Sequence, residues 1–142
     1  MNVYSGRPYE AFYEEKLLPE YFKEAGYATG LIGKWHLSGN GDILKNPDHL
    51  LPDAKGWDEI EVIPGGMAQY YETPLYLGKR QKGVAPEYAT DHFGKRAAAF
   101  IKAHAGEPFL LTLAFNCPHA PLHSEDADIE AFGSLEGYKR EK

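Results

Sequence analysis

Two short stretches of this sequence hold side chains that could do chemistry. The first is Gly33-Lys34-Trp35-His36-Leu37. In extended chain alternate side chains share a face, so Lys34 and His36 point together while Trp35 points away. A fixed cation beside a titratable imidazole suits an anionic substrate whose reaction moves a proton. The plainer reading is a surface lysine next to a loop histidine with an ordinary partner. The second stretch is Asn116-Cys117-Pro118-His119-Ala120-Pro121-Leu122-His123. Its two prolines restrict the backbone on either side of His119 and hold that side chain in one direction. His119 and His123 have the i, i+4 spacing of a zinc pair, but Pro121 between them argues against the helix that spacing requires. A rigid surface loop with incidental histidines is the plainer alternative.

Other signals are weaker. Cys117 lies among apolar and proline residues with no cation near it in sequence, which reads as a small packing residue. Gly39-Asn40-Gly41 lacks the third glycine and the strand-then-helix context of a dinucleotide site, so it reads as a flexible loop. His49, His92 and His104 show no partner pattern, with His104 expected on the buried side of a helix. Asp53 and Asp58 read as solvated loop residues.

Both reactive stretches follow candidate strands. Residues 1–14 form an irregular opening segment rich in Tyr, Gly and Pro. From Glu15, the residues Leu17, Leu18, Tyr21, Phe22 and Ala25 fall at helical spacing. Gly26 supplies the left-handed residue that ends such helices, and Tyr27 sits where a closing hydrophobic contact belongs. Ala28 to Gly33 then reads as a buried strand. Residues 38–86 have the Gly and Pro density of a long loop with at most short structured pieces, and a loop of that length usually has a ligand to bind. A second helix is read from Phe93, Ala97, Phe100, Ile101 and His104, with Thr90 or Asp91 as its cap and Gly106 and Pro108 at its end. Phe109 to Phe115 is apolar on both faces, as in a strand covered by helices on both sides of a parallel sheet. A last weak helix is placed at 125–132. In open parallel sheets ligands sit beyond the carboxyl ends of the strands, where both reactive stretches fall.

The chain of 142 residues can bury one core. Its 43% hydrophobic and 25% charged residues are the balance of a folded soluble protein. A formal net charge of −6 gives no general attraction to nucleic acid or to an anionic membrane. No apolar stretch is long enough to span a bilayer, and the acidic first twenty residues hold no signal-peptide segment. One cysteine excludes an internal disulfide. Nothing here fixes the cellular location.

Taken in order, these segments resemble the sulfatase family of the alkaline-phosphatase-like superfamily. The run from Leu18 to Leu37, ending Gly33-Lys34-Trp35-His36-Leu37, resembles that family's helix, turn, strand and active-site lysine–histidine segment. Gly56-Trp57-Asp58-Glu59 is similar to the Gly-aromatic-Asp of the loop that follows. Tyr88-Ala89-Thr90-Asp91 is similar to the approach to the next helix, and Pro108 through Pro121 to the second active-site segment. The agreement covers most of residues 15–123.

The resemblance implies an α/β chain, residues 1–142, forming a partial alkaline-phosphatase-like domain with a mainly parallel sheet flanked by helices. Its substrate would be a sulfated small molecule or sulfated carbohydrate. Lys34 would contact the sulfate and the nucleophile, and His36 would accept a proton as the covalent intermediate collapses. His119 would bind a sulfate oxygen or assist the leaving alcohol, and His123 would help bind substrate. The family nucleophile is a formylglycine made from Cys or Ser in a Cys-x-(Pro/Ala)-x-Arg motif, and Cys117, followed by Pro-His-Ala-Pro, does not match it. The parent would use a divalent metal, calcium by the resemblance, whose acidic ligands would lie outside this chain. Met1 then reads as an internal start, the parent as a periplasmic or secreted enzyme, and the chain alone as inactive and prone to associate through unpartnered strand edges. Two rivals stay open: a phosphodiesterase or phosphonate hydrolase of the same superfamily, and a non-catalytic binding module derived from it.

Overall fold

The computed structural model describes residues 15–38, 43–65, 69–120 and 123–132. The irregular opening 1–14, Gly39-Asn40-Gly41 and Pro121 lie outside them. Helix α1 (Leu18–Glu24) leads into strand β1 (Ala28–Trp35). Strands β2 (Glu59–Pro64), β3 (Pro74–Tyr76) and β4 (Lys82–Val84) follow, then helix α2 (Ala89–Ala103), strand β5 (Phe109–Ala114) and helix α3 (Asp126–Phe132). Three short 3-10 turns occupy Ile43–Lys45, Asp48–Leu50 and Pro52–Lys55. The sheet order is β4-β3-β2-β1-β5, with β2, β1 and β5 parallel and the two short strands antiparallel.

Helix α1 ends as its sequence dictates. Gly26 has φ +83, its N–H donates to the Lys23 carbonyl (3.0 Å), and the Tyr27 N–H donates to Phe22 (3.0 Å). The Phe22 and Tyr27 rings meet edge to face at 4.9 Å, completing a Schellman turn that points the chain into β1.

Two clusters sandwich the sheet. On one face Ile32, Ile63, Phe93, Ala97 and Phe100 pack α2 against β1 and β2. On the other, Leu31, Trp35, Val62 and Tyr76 pack with Leu17 at the start of α1 and with Ile43, Leu51 and Trp57. The alternation of Leu31 and Ile32 between the clusters is the period-2 reading of β1 made physical.

The stretch 38–86 is made of short pieces joined by irregular chain, as its composition suggests, but one of them is a sheet strand: β2 pairs with β1 over six residues, from Gly30↔Glu59 to Trp35↔Pro64. Strand β1 therefore has neighbours on both edges. Strand β5 is paired only with β1 among the described residues, and its cover is partial: Phe109 and Leu111 pack toward the cluster under α2 and Leu110 toward the opposite one, while Leu113 is 37% exposed. Helix α2 starts two to three residues earlier than expected, with Tyr88 at the N-cap in place of Thr90 or Asp91, and Ile101 lies on its exposed side.

Asp53 and Asp58 are also more than solvated loop residues. Asp58 accepts from Lys23 Nζ (2.5 Å) and from the Thr29 backbone N–H (3.1 Å), tying the start of β2 to α1 and β1. Burial works to raise its carboxyl, but the bonds from Lys23 and Thr29 hold it below the usual carboxylate value. Asp53 accepts from Tyr76 Oη (2.5 Å) and from the Lys79 N–H (2.5 Å). The charges that read as surface decoration brace the β2–β3 side of the sheet.

Candidate active site

Lys34 and Trp35 are the last two residues of β1, and His36 follows at once. Trp35 is buried, 6% exposed, and its indole N–H donates to Ser38 Oγ (2.6 Å), which in turn donates to the Leu50 carbonyl (2.5 Å). This anchor fixes the plane of the strand end. Lys34 and His36 are each half-buried, on the opposite alternation from Trp35.

The second stretch arrives beside the first. β1 and β5 run parallel in register Gly33↔Ala114, so the chain leaves both strands at the same end of the sheet. Gly33 makes that pairing possible: it has φ +108, and a Cβ there would lie 2.0 Å from the Ala114 carbonyl oxygen. Two residues beyond β5, Asn116 is 7% exposed, and neither atom of its carboxamide has a hydrogen-bond partner among the described residues. A buried amide left without partners costs stability and invites a ligand or water.

His119 lies in the turn beyond Asn116, its N–H donating to the Asn116 carbonyl (2.9 Å). Its ring is exposed and Nδ1 donates to the Ala120 carbonyl (2.6 Å). Because a carbonyl can only accept, Nδ1 carries a proton there, and Nε2 holds the lone pair in the neutral ring and a second N–H in the imidazolium. His123 packs against Tyr70 and Tyr71 at ring distances of 5.7 and 6.4 Å. Cys117 is an exposed free thiol, not the packed residue its neighbours in sequence suggested.

The other histidines have structural partners that sequence spacing hides. His92 Nε2 lies 2.5 Å from Glu61 Oε1, and Arg96 Nε donates to Glu61 Oε2 (2.5 Å), so one carboxylate joins β2 to two turns of α2. His104 sits between Glu59 (3.0 Å) and Glu107 (2.6 Å), whose hydrogen bonds raise its basicity above the usual imidazole value.

A cleft of about 700 Å³ runs along the amino-terminal half of β2, lined in part by Lys23, Asp53, Asp58, Glu61, Lys79 and Arg96. Its carboxylates are spent on the bonds just described. It begins at the other end of β2 from the segment paired with Lys34, so it is not the candidate site. Among the described residues no three His, Cys, Asp or Glu side chains converge to hold a metal ion. No helix among them is long and apolar enough to cross a membrane.

Sequence reasoning missed Tyr70, Tyr71 and Tyr88. They surround the second stretch, with Tyr70 and Tyr88 stacked at 5.6 Å and Tyr71 at 5.5 Å from Tyr88. The signal available was ten tyrosines in 142 residues, two of them adjacent.

Known proteins resemble this chain in sequence and in fold. An uncharacterized sulfatase of Schizosaccharomyces pombe is 30% identical, covering 92% of this chain and 26% of that protein. Human N-acetylgalactosamine-6-sulfatase is 32% identical over 78% of this chain and 23% of its own length. The crystal structure of Ps i-CgsB in complex with k-i-k-neocarrahexaose superposes with a TM-score of 0.75 at 26% identity, covering 87% of this chain and 31% of that one. The chain thus spans about a quarter of the length of the curated relatives it matches. The α/β sheet and its flanking helices are those of the alkaline-phosphatase-like fold. The sulfatase family profile matches residues 2–141, so every element described above, from α1 to α3, lies within the match, and the chain belongs to the sulfatase family.

Proposed function

We propose that this chain supplies the lysine–histidine face of a sulfate-ester hydrolase site, as one part of the catalytic domain. The observation that carries the proposal is the parallel β1–β5 pairing, which delivers Lys34, His36 and the Asn116–His119 turn to one end of the sheet. Lys34 meets the charge of the sulfate group. His36 moves a proton during turnover of the sulfated enzyme. His119, with Nδ1–H committed to a carbonyl, presents Nε2, which in the imidazolium form donates to a sulfate oxygen or gives its proton to the departing alcohol oxygen. His123 lines the substrate side of the same loop.

A sulfated carbohydrate is the substrate class we favour, on the support of the N-acetylgalactosamine-6-sulfatase relative and the oligosaccharide complex. The nucleophile we assign to the reaction is a formylglycine, and these 142 residues contain no Cys-x-(Pro/Ala)-x-Arg motif to supply it. A divalent metal, calcium by family resemblance, completes the proposal for the whole enzyme. The described residues hold no group of three His, Cys, Asp or Glu side chains that would fit such a metal.

The test is kinetic, in the full-length protein with a sulfated chromogen and N-acetylgalactosamine 6-sulfate. Lys34→Ala is expected to raise KM and lower kcat together. His36→Ala and His119→Ala are expected to lower kcat by about 10²–10⁴-fold. Folded His36→Ala and His119→Ala proteins with parental kcat across the pH range would overturn the assignment.

A further inference from the structure

We propose that Tyr70 and Tyr88 are positioning residues that hold the His119–His123 loop, and with it the His119 imidazole, in its working orientation. The inference rests on the sulfate-ester reading above and adds to it two residues with no role there.

The loop needs an outside anchor. It leaves β5, the half-exposed edge of the described sheet, and among the described residues its own backbone bond is the one from His119 N–H to Asn116. Tyr70 and Tyr88 supply what the sheet does not. Both are buried, at 2% and 6% exposure, and their rings stack at 5.6 Å with an interplanar angle of 20°. Tyr70 Oη donates to the His119 carbonyl (2.7 Å) and Tyr88 Oη to the His123 carbonyl (2.9 Å). Two bonds tie His119 and His123 to the same pair of stacked rings, two anchor points where one bond would give a single pivot.

The plate that makes these bonds is itself rigid. The Tyr70 carbonyl accepts from Ala89 N–H (2.8 Å) at the first turn of α2, beside the N-cap Tyr88. Thr73 Oγ1 donates to the Gln69 carbonyl (2.6 Å), and the Ala85 N–H to Thr73 (2.9 Å), which closes the segment before β3. The loop that carries His119 is therefore referenced to α2 and the β2–β3 connection. A phenylalanine would fill the same space at either site, so the hydroxyls carry this function separately from packing.

The experiment uses Tyr70→Phe and Tyr88→Phe in the full-length protein, with Tyr27→Phe as the control. A sulfated chromogen is the substrate, and melting temperatures are measured alongside. Each hydroxyl deletion is expected to lower kcat about tenfold, the scale of one hydrogen bond, with KM within about twofold. In a His119→Ala background the Tyr70→Phe loss is expected to vanish, because the residue it orients is gone. A purely structural role would lower the melting temperature and leave that coupling at zero. Unchanged kcat in both variants, or an undiminished Tyr70→Phe effect without His119, overturns the inference. If the parent protein does not turn over sulfate esters, the function reading fails by itself. The clamp is then judged by NMR of the His119 ring, which Tyr70→Phe should shift or broaden. An unchanged His119 spectrum overturns it on that arm.

Discussion

Strands β1 and β5 bring chemistry to the same end of the sheet and are held there by different means. β1 is interior, paired on both sides, and buried at most of its positions. Its reactive pair needs no help beyond the strand and the Trp35–Ser38 anchor. β5 is paired on one side in the described structure, and Leu113 and Phe115 are 37% and 43% exposed. Its loop depends on tyrosines reaching in from elsewhere. A site can be built from one rigid wall and one strapped wall, and the two should respond differently to mutation.

The largest effect is expected where the two strands touch. Gly33→Ala places a Cβ 2.0 Å from the Ala114 backbone at a left-handed φ, and neither strand can yield without unpairing. Urea denaturation should show a loss of about 4 kcal/mol or more, or no soluble protein. The neighbouring Gly30 sharpens the point, because there the clash is with the Phe100 ring, at 2.7 Å, which can rotate. Gly30→Ala is expected to be the milder of the two.

Next comes truncation within each strand. Trp35→Ala empties a buried site and takes from Ser38 its indole donor, with an expected cost of about 3–5 kcal/mol. Leu113→Ala, on the exposed strand, should cost under about 1 kcal/mol. Equal losses would erase the distinction drawn between interior and edge.

A smaller effect is set by pH. His104 holds its proton more tightly when folded, because Glu59 and Glu107 face its two nitrogens. A raised folded pKa means that the contribution is complete below about 6.5, the unfolded value, and fades as pH rises through the folded value. Melting temperature should therefore fall less between mildly acidic and mildly alkaline buffer in His104→Gln than in the parent. An unchanged pH dependence would show that this bridge does not bear on stability.

The smallest change concerns Asn116. Replacing a buried, unpartnered carboxamide by an isosteric apolar group removes a desolvation cost and breaks no bond. Asn116→Leu is expected to be neutral or slightly stabilising, within about 1 kcal/mol, by urea midpoint. A large loss would mean that the amide has a partner in solution.

What the sequence disclosed divides along the same line. Local rules worked where local forces decide, as in Gly26 closing α1, the apolar run of β1 and the Phe93–Ala97–Phe100 stripe of α2. Strand β2 was hidden because Glu59-Ile60-Glu61 alternates charge with apolar residues inside a Gly- and Pro-dense stretch. Only the tertiary pairing of Glu61 with His92 and Arg96 makes such a strand reasonable. The extent of cover on β5 depends on what lies beside it, which apolar content cannot report. Lys34, His36, His119 and His123 were singled out from spacing and family resemblance. The tyrosine clamp was not, because Tyr70 and His119 stand 49 residues apart.

The order of the strands also bears on how the site comes into being. Gly30 aligns with Glu59 in the β1–β2 pair and with Leu111 in the β1–β5 pair, spans of about 30 and about 80 residues. The longer closure costs about 0.9 kcal/mol more in chain entropy, and it is repaid only once β1 is already a formed edge. β1 and β2 should therefore zip first, with Asp58 and Thr29 as their nearest long-range bond, and β5 should dock onto the result. The lysine half of the site is then assembled early in folding and the His119 half late.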